Sequence, residues 1–117
     1  MAQYYTAGGF TIDDTVLPGG NVQWKAPGGN ALYSAIGARI WGPDVGILAH
    51  IGERYPQENL DRIAATGIDV SHIRRLPGPD LHVWVLHEGD RRRQIIYRLD
   101  SGSNDTLDPT PEDIPAD

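Results

Sequence analysis

Apolar and polar positions along the chain fall into short blocks punctuated by glycine and proline. Gln3–Ala7 is a β-leaning run ended by Gly8-Gly9, and Phe10–Leu17 reads as its continuation after a bend. Pro18-Gly19-Gly20-Asn21 is a turn, and Val22-Gln23-Trp24-Lys25 then alternates as a half-buried strand does. After a second break at Pro27-Gly28-Gly29-Asn30, Leu32, Ala35, Ile36, Arg39 and Ile40 recur at helical spacing. Asn30 is placed to cap this helix and Gly42-Pro43 to stop it. Val45–Ile51 is a nearly continuous apolar strand, the kind buried on both faces of a parallel sheet. Pro56 suits the first turn of a second helix over 57–66, in which Leu60, Ile63 and Ala64 share a face and Gly67 closes the end. Val70–Leu76 is again strand-like, which completes a βαβ crossover.

The pattern then changes. His82–Glu88 and Arg93–Leu99 alternate on either side of Gly89-Asp90, a hairpin signal. One face is expected to carry His82, Trp84 and Leu86, met by Ile95, Tyr97 and Leu99. The expected fold is α/β, with a small antiparallel sheet placed beside a parallel one as a lid.

Charge refines this picture. Residues 1–99 hold ten basic and ten acidic side chains, whereas residues 100–117 hold six acids and no base. The whole net charge of -6 therefore lies in one segment, which also carries Pro109, Pro111 and Pro115. A neutral body gives no basic face for a nucleic acid, so none is expected as partner. No apolar run reaches membrane-spanning length and no signal-peptide pattern opens the chain, so no membrane partner is expected. The absence of cysteine removes disulfides and thiolate chemistry and fits a cytoplasmic setting.

Candidate chemistry is sparse. Gly28-Gly29 at a strand-to-helix junction is either a tight turn or a place where a ligand approaches the backbone closely. The dinucleotide fingerprint and the Walker loop are both missing. Asp13-Asp14 is either a solvated loop pair or a holder of polyol hydroxyls. His50, His72, His82 and His87 lack metal-ligand spacing and read as structural, so no metal site is expected. Ser34 and Ser71 lack a nucleophile-elbow setting. Arg91-Arg92-Arg93 is either a solvated turn or an anion clamp.

In order and spacing these landmarks resemble the amino-terminal portion of the ribokinase-like (PfkB) carbohydrate kinases, from about Tyr4 to Ile114. Ala7-Gly8-Gly9-Phe10-Thr11-Ile12-Asp13 resembles the family's first strand, glycine and substrate-holding Asp. Gly28-Gly29-Asn30-Ala31-Leu32-Tyr33-Ser34-Ala35 resembles its first signature. Ile51-Gly52-Glu53-Arg54-Tyr55-Pro56 and Gly67-Ile68-Asp69-Val70-Ser71 match the next two landmarks. Two positions depart: Tyr33 stands where the family has a sugar-binding Asn, which argues against simple ribose recognition, and Arg54 stands where an acid is common.

The resemblance implies a partial ribokinase-like three-layer, Rossmann-like sheet with a β-strand lid. Residues 1–99 would form the sugar-binding portion, with lid segments at about 20–26 and 81–99. Residues 100–117 would be an acidic connector to an ATP-binding half. Asp13, Gly28, Gly29, Asn30 and Tyr33 would contact a sugar or polyol, with Tyr97 and Arg98 as polar lid contacts, and the lid would pair two copies as a homodimer. ATP and Mg²⁺ would serve the complete enzyme. The Gly-Ala-Gly-Asp segment that receives them has no counterpart here, so no catalytic residue is assigned and the chain alone is expected to be inactive. A non-catalytic polyol-binding or lid-dimerising module is the rival reading, and a dinucleotide-binding domain the weakest. A partial sheet is also expected to leave Val45–Ile51 uncovered unless a second copy buries it.

Overall fold

The computed structural model describes residues 2–89 and 92–116. The strands β1 (Tyr4–Ala7), β4 (Val45–Ile51) and β5 (Ile73–Arg75) form a parallel sheet in the order β1-β4-β5. Helices α1 (Asn30–Arg39) and α2 (Gln57–Ala65) belong to this body. The second sheet contains β2 (Thr11–Val16), β3 (Val22–Gly28), β6 (Leu81–Glu88) and β7 (Arg92–Tyr97), ordered β3-β2-β6-β7.

All seven residues of β4 are buried, as a continuous apolar strand requires. Phe10, Leu32, Ile47, Ile51, Tyr55 and Ile63 pack with them into one core. The expectation of an uncovered β4 is not met, because this single chain buries it. The exposed apolar side chains lie instead on α1 and just beyond it (Ile36, Ile40, Trp41) and on the second sheet, with Tyr4 at the start of β1 and Ile114 in the acidic segment exposed singly.

The α1 stripe is rotated from the expected one. Ala31, Leu32 and Ala35 face the core, while Ile36 and Ile40 lie about one residue further round the helix and meet solvent. Asn30 is not the cap. Gly29, at φ 101°, holds that position and Asn30 is the first helical residue. In α2, Leu60 and Ile63 are buried with Asn59, and Ala64 is exposed.

Three strand expectations also change. The Phe10–Leu17 run is no continuation of β1: after Gly8-Gly9 the chain enters the second sheet as β2, pairing in parallel with β6 and antiparallel with β3. Strand β3 runs through Pro27 to Gly28, which its edge position permits, since an edge strand can spare one N–H. Strand β5 starts only at Ile73, because Asp69 Oδ1 accepts both the N–H and the hydroxyl of Ser71 and turns the chain there.

The hairpin forms, with register differing by one residue from expectation. Val83 faces Tyr97, Trp84 faces Ile96 and Val85 faces Ile95. Tyr97 and Ile95 therefore share a face with Val83 and Val85, not with His82, Trp84 and Leu86. Asp90 and Arg91 of the expected turn lie outside the described residues.

The acidic segment is docked on the body. It forms a single helical turn, α3 (Asn104–Leu107), and a 3₁₀ turn at Pro111–Asp113. Leu107 is buried at 1% exposure. The buried Asp113 carboxylate meets His50 Nε2 at 2.8 Å and Arg74 at 3.0 Å, and accepts the Thr110 N–H at 2.7 Å. Burial alone would raise its pKa, but the Thr110 N–H, His50 and Arg74 outweigh it and hold the carboxyl well below the usual range.

Candidate functional site

Register along the second sheet decides which side chains converge. Asp13 lies opposite Ala26 on β3 and Val83 on β6, and Val83 lies opposite Tyr97 on β7. One rung further, Thr15 aligns with Gln23, Val85 and Ile95. Both rungs present the same face, since residues directly opposite in a ladder project to the same side. That face, together with the start of α1, encloses a cavity of about 520 Å³ whose lining includes Asp13, Gly29, Asn30, Tyr33 and Tyr97. Five of the seven expected contact residues are thus brought together.

Gly28 belongs to the same place for a steric reason. A methyl group at Gly28 would overlap the carboxylate of Asp13, so the missing side chain is what lets this acid lie against β3. Gly29 turns the chain into α1 at a positive φ, and a side chain there would also strike the backbone of Gly9. The Thr6 hydroxyl donates to Ala31 O at 2.7 Å, tying β1 to the first turn of α1.

Asp13 is 9% exposed and accepts the Thr11 hydroxyl at 2.6 Å. Burial pushes its pKa up, opposed by the Thr11 hydrogen bond and the positive charge of Arg93. With one partner supplied by the protein, the carboxylate keeps further lone pairs for ligand hydroxyls. Tyr55 supports this strand from the core, donating to Thr11 O at 3.2 Å.

A second, more open cavity of about 560 Å³ adjoins the first, sharing Thr11, Gly29, Asn30 and Tyr97 in its wall. Its other side is made by Gly8-Gly9 at the end of β1 and by Asn104 and Asp108 from the docked acidic segment. The carboxyl ends of parallel strands are the usual place for ligands in such sheets.

Arg98 is not in either cavity. It binds Asp14 Oδ2 at 2.8 Å and Asp100 at 3.2 Å, and its guanidinium lies 5.1 Å from the centre of the Trp84 ring. Asp14, 1% exposed, also meets His82 Nε2 at 2.8 Å and accepts the Lys25 N–H at 2.9 Å. This cluster sits on the opposite face of the sheet from Asp13. It holds Lys25 at φ 52°, where β2 and β3 lose register between Asp13 and Thr15, and Asn59 secures the Lys25 carbonyl at 2.9 Å. A left-handed non-glycine residue is costly and persists only where its surroundings impose it.

The remaining histidines are structural or peripheral. His72 packs edge-on against Tyr5, His50 meets Asp113, and His87 lines the first cavity beside Arg93. Among the described residues, no group of three or more His, Asp or Glu side chains converges as metal ligands would.

Sequence reasoning missed Thr11, Asn104 and Asp108 as cavity residues; Arg93, read as part of a solvated turn or an anion clamp, lines the first cavity. Thr11 was legible as the residue two before Asp13 on an alternating strand; nothing local marks the other two.

A fructokinase from Vibrio cholerae O395 superimposes with a TM-score of 0.70 over 99% of this chain and 40% of its own, at 19% identity. An uncharacterized sugar kinase from Pyrococcus horikoshii, in complex with ATP, gives 0.69 over 85% of this chain and 35% of its own, at 18% identity. The chain has the ribokinase-like (PfkB) fold. A cytidine kinase from Thermococcus kodakarensis is 30% identical over 90 residues, which are 77% of this chain and 32% of that protein. The chain thus spans about a third of the length of the curated relative it matches. No family model matches. Among the described residues, no helix is long and apolar enough to cross a membrane.

Proposed function

We propose that this chain is the acceptor-binding and lid part of an ATP-dependent carbohydrate kinase acting on a sugar, sugar acid or nucleoside. The observation that carries the reading is the buried Asp13 carboxylate, facing a cavity beside the Gly28-Gly29 entry to α1. A carboxylate there accepts and orients acceptor hydroxyls, and Asn30 beside it supplies both a donor and an acceptor. The second sheet, which forms the cavity wall, would act as the lid that excludes water. In the complete enzyme the γ-phosphoryl of ATP would pass to an oriented hydroxyl.

ATP and Mg²⁺ would supply the transferred group and its charge neutralisation. The residues described here fit that role poorly. The Ala31 N–H in the first turn of α1 is directed at Gly9 O rather than into the cavity, and the Gly-Ala-Gly-Asp segment is missing. No step of phosphoryl transfer is assigned to these residues, and the chain alone should not turn over ATP.

Two measurements test this. Titration calorimetry over a panel of sugars, sugar acids and nucleosides should find a ligand whose binding Asp13→Asn removes. A coupled ATP-consumption assay on the same panel should stay at background; turnover would overturn the inactivity, and absence of any binding would overturn the site.

A second reading, a lid-dimerising module without catalysis, draws on the exposed Trp24, Ile95, Ile96, Tyr97 and Leu99 of the second sheet and its exit. Such an apolar sheet surface is a common basis for self-association. Sedimentation velocity separates the two: a dimer unaffected by ligand, with no acceptor binding, favours the module.

A further inference from the structure

The sheet that carries Asp13 has a separate cavity on its reverse face. Regular alternation would send one of Trp24 and Lys25 to each side of the sheet. Asp13 pairs with Ala26 and Thr15 with Gln23, so two residues of β3 stand against the single Asp14 of β2. Such a bulge turns both to the same side. Trp24 packs there against Trp84, and Lys25 lines a cavity of about 340 Å³ with Ile12 and His82. The bulge leaves Lys25 in a left-handed backbone at φ 52°, held by the Asp14 carboxylate on its N–H and the Asn59 amide on its carbonyl. Glycine and asparagine tolerate that conformation better than lysine does. The residue kept at the strained position is one whose side chain is a cation.

The opposite wall is firmly tied. Gly52 donates its N–H to Asp80 Oδ1 at 2.6 Å and Glu53 donates to Gly78 O at 3.0 Å, and a methyl group at Gly52 would strike the backbone of residues 78–80. Arg75 donates to the carbonyls of Gly52, Glu53 and Tyr55. These contacts fix the loop that brings Glu53 and Arg54 to the cavity. Charges of both signs meet there: Lys25, Arg54 and His82 against Glu53, Asp80 and Asp100. The two sets are not equally free. Asp80 accepts from Gly52 and is pushed toward its neutral form by burial, and Asp100 accepts from Arg98. Among the described residues, Lys25 and Arg54 form no salt bridge.

Two unneutralised cations favour an anion, and the guanidinium fork matches a carboxylate. The acids in the wall weigh against a dianion such as a phosphate monoester, and they can accept from a hydroxyl or ammonium group on the same ligand. We propose that this cavity binds a small carboxylate bearing an adjacent hydrogen-bond donor, the chemistry of α-hydroxy and α-amino acids, with Lys25 and Arg54 as its anchors. The site does not rest on the kinase reading, since it lies across the sheet from Asp13.

Amide NMR of the full 117-residue chain, titrated with glycerate, serine, glycerol and inorganic phosphate, tests this. Glycerate or serine should shift the signals of Lys25, Arg54 and Asp80, with phosphate weaker and glycerol inert. Lys25→Asn and Arg54→Gln should each weaken that binding about fivefold, the scale of one exposed ion pair. Both side chains are exposed, so neither substitution threatens the fold. Lys25→Asn should also hold or raise the urea midpoint, because asparagine accepts the left-handed backbone. A lowered midpoint with binding intact would assign Lys25 to the fold and overturn the inference. Loss of binding in Asp13→Asn would put the ligand in the acceptor cavity, overturning the inference and leaving the kinase reading standing. Phosphate or glycerol binding as tightly as both acids, or neither acid binding, would overturn it as well.

Discussion

Asp13 and Asp14 are adjacent in the chain and serve opposite faces of one sheet. Asp13 opens into the cavity; Asp14 is enclosed by His82, Arg98 and the Lys25 amide. Strand geometry produces the split, because successive side chains project to opposite sides. One acid is free to meet a ligand while its neighbour fastens the strands that present it.

Replacing Asp14 by Ala should therefore be a stability mutation. It removes a nearly inaccessible carboxylate with three partners, and Arg98, 28% exposed, can turn toward water when released. The expected loss is about 2 kcal/mol, below the range for a fully buried pair. A urea midpoint unchanged from wild type would refute the anchoring role.

Asp13 should behave in the reverse sense. Its raised pKa means that its charge opposes folding: the contribution favouring the fold is complete below the unfolded value and disappears as pH rises through the folded one. Asp13→Asn should then hold or raise the urea midpoint at neutral pH while ligand affinity falls by about tenfold or more, the worth of a charged hydrogen bond. A clearly destabilised variant would contradict the burial argument.

Acid should act through Asp113 with the other sign. Its folded pKa is depressed, so its stabilisation is present above the ordinary Asp range and is lost as pH falls toward the folded value. Carbon-detected NMR titration should show Asp113 ionised at pH values where Asp13 is protonated. Asp113→Asn should flatten the acid limb of the stability curve.

Gly28→Ala would place a methyl group on the Asp13 carboxylate. The acid must swing away, so ligand affinity should drop by about tenfold or more with a smaller effect on stability than Gly29→Ala, which also strains a positive φ. Equal loss of stability in both variants would count against this steric account.

Much of the fold could be read from the chain because strong local signals agreed with global packing. Val45–Ile51 is apolar at nearly every position and is buried at every one. Asp13 and the Gly28-Gly29-Asn30 turn each had a plain structural alternative when read alone, a solvated acid and a tight turn, and only their order and spacing along the chain grouped them as a candidate site. What escaped depended on distant partners. The tilt of α1 is set by contact with β1 and β4, which moved Ile36 outward. The hairpin register hangs on a turn whose residues do not declare its length, so Tyr97 came to face Val83 and Arg98 was left to Asp14. The docking of Leu107 and Asp113 needs His50 and Arg74, far away in sequence.

The parallel pairing of β2 with β6 has a kinetic consequence. Thr11 meets Leu81, and between them the chain must complete α1, β4, α2 and β5. Closing so long a loop is entropically unfavourable until those elements have compacted it. The body should therefore assemble first, and the sheet carrying Asp13 last. In stopped-flow refolding, fluorescence from Trp24 and Trp84, which touch across that sheet, should recover after far-ultraviolet circular dichroism has largely returned. A site built on the latest strands to pair is the one most exposed to interruption of folding.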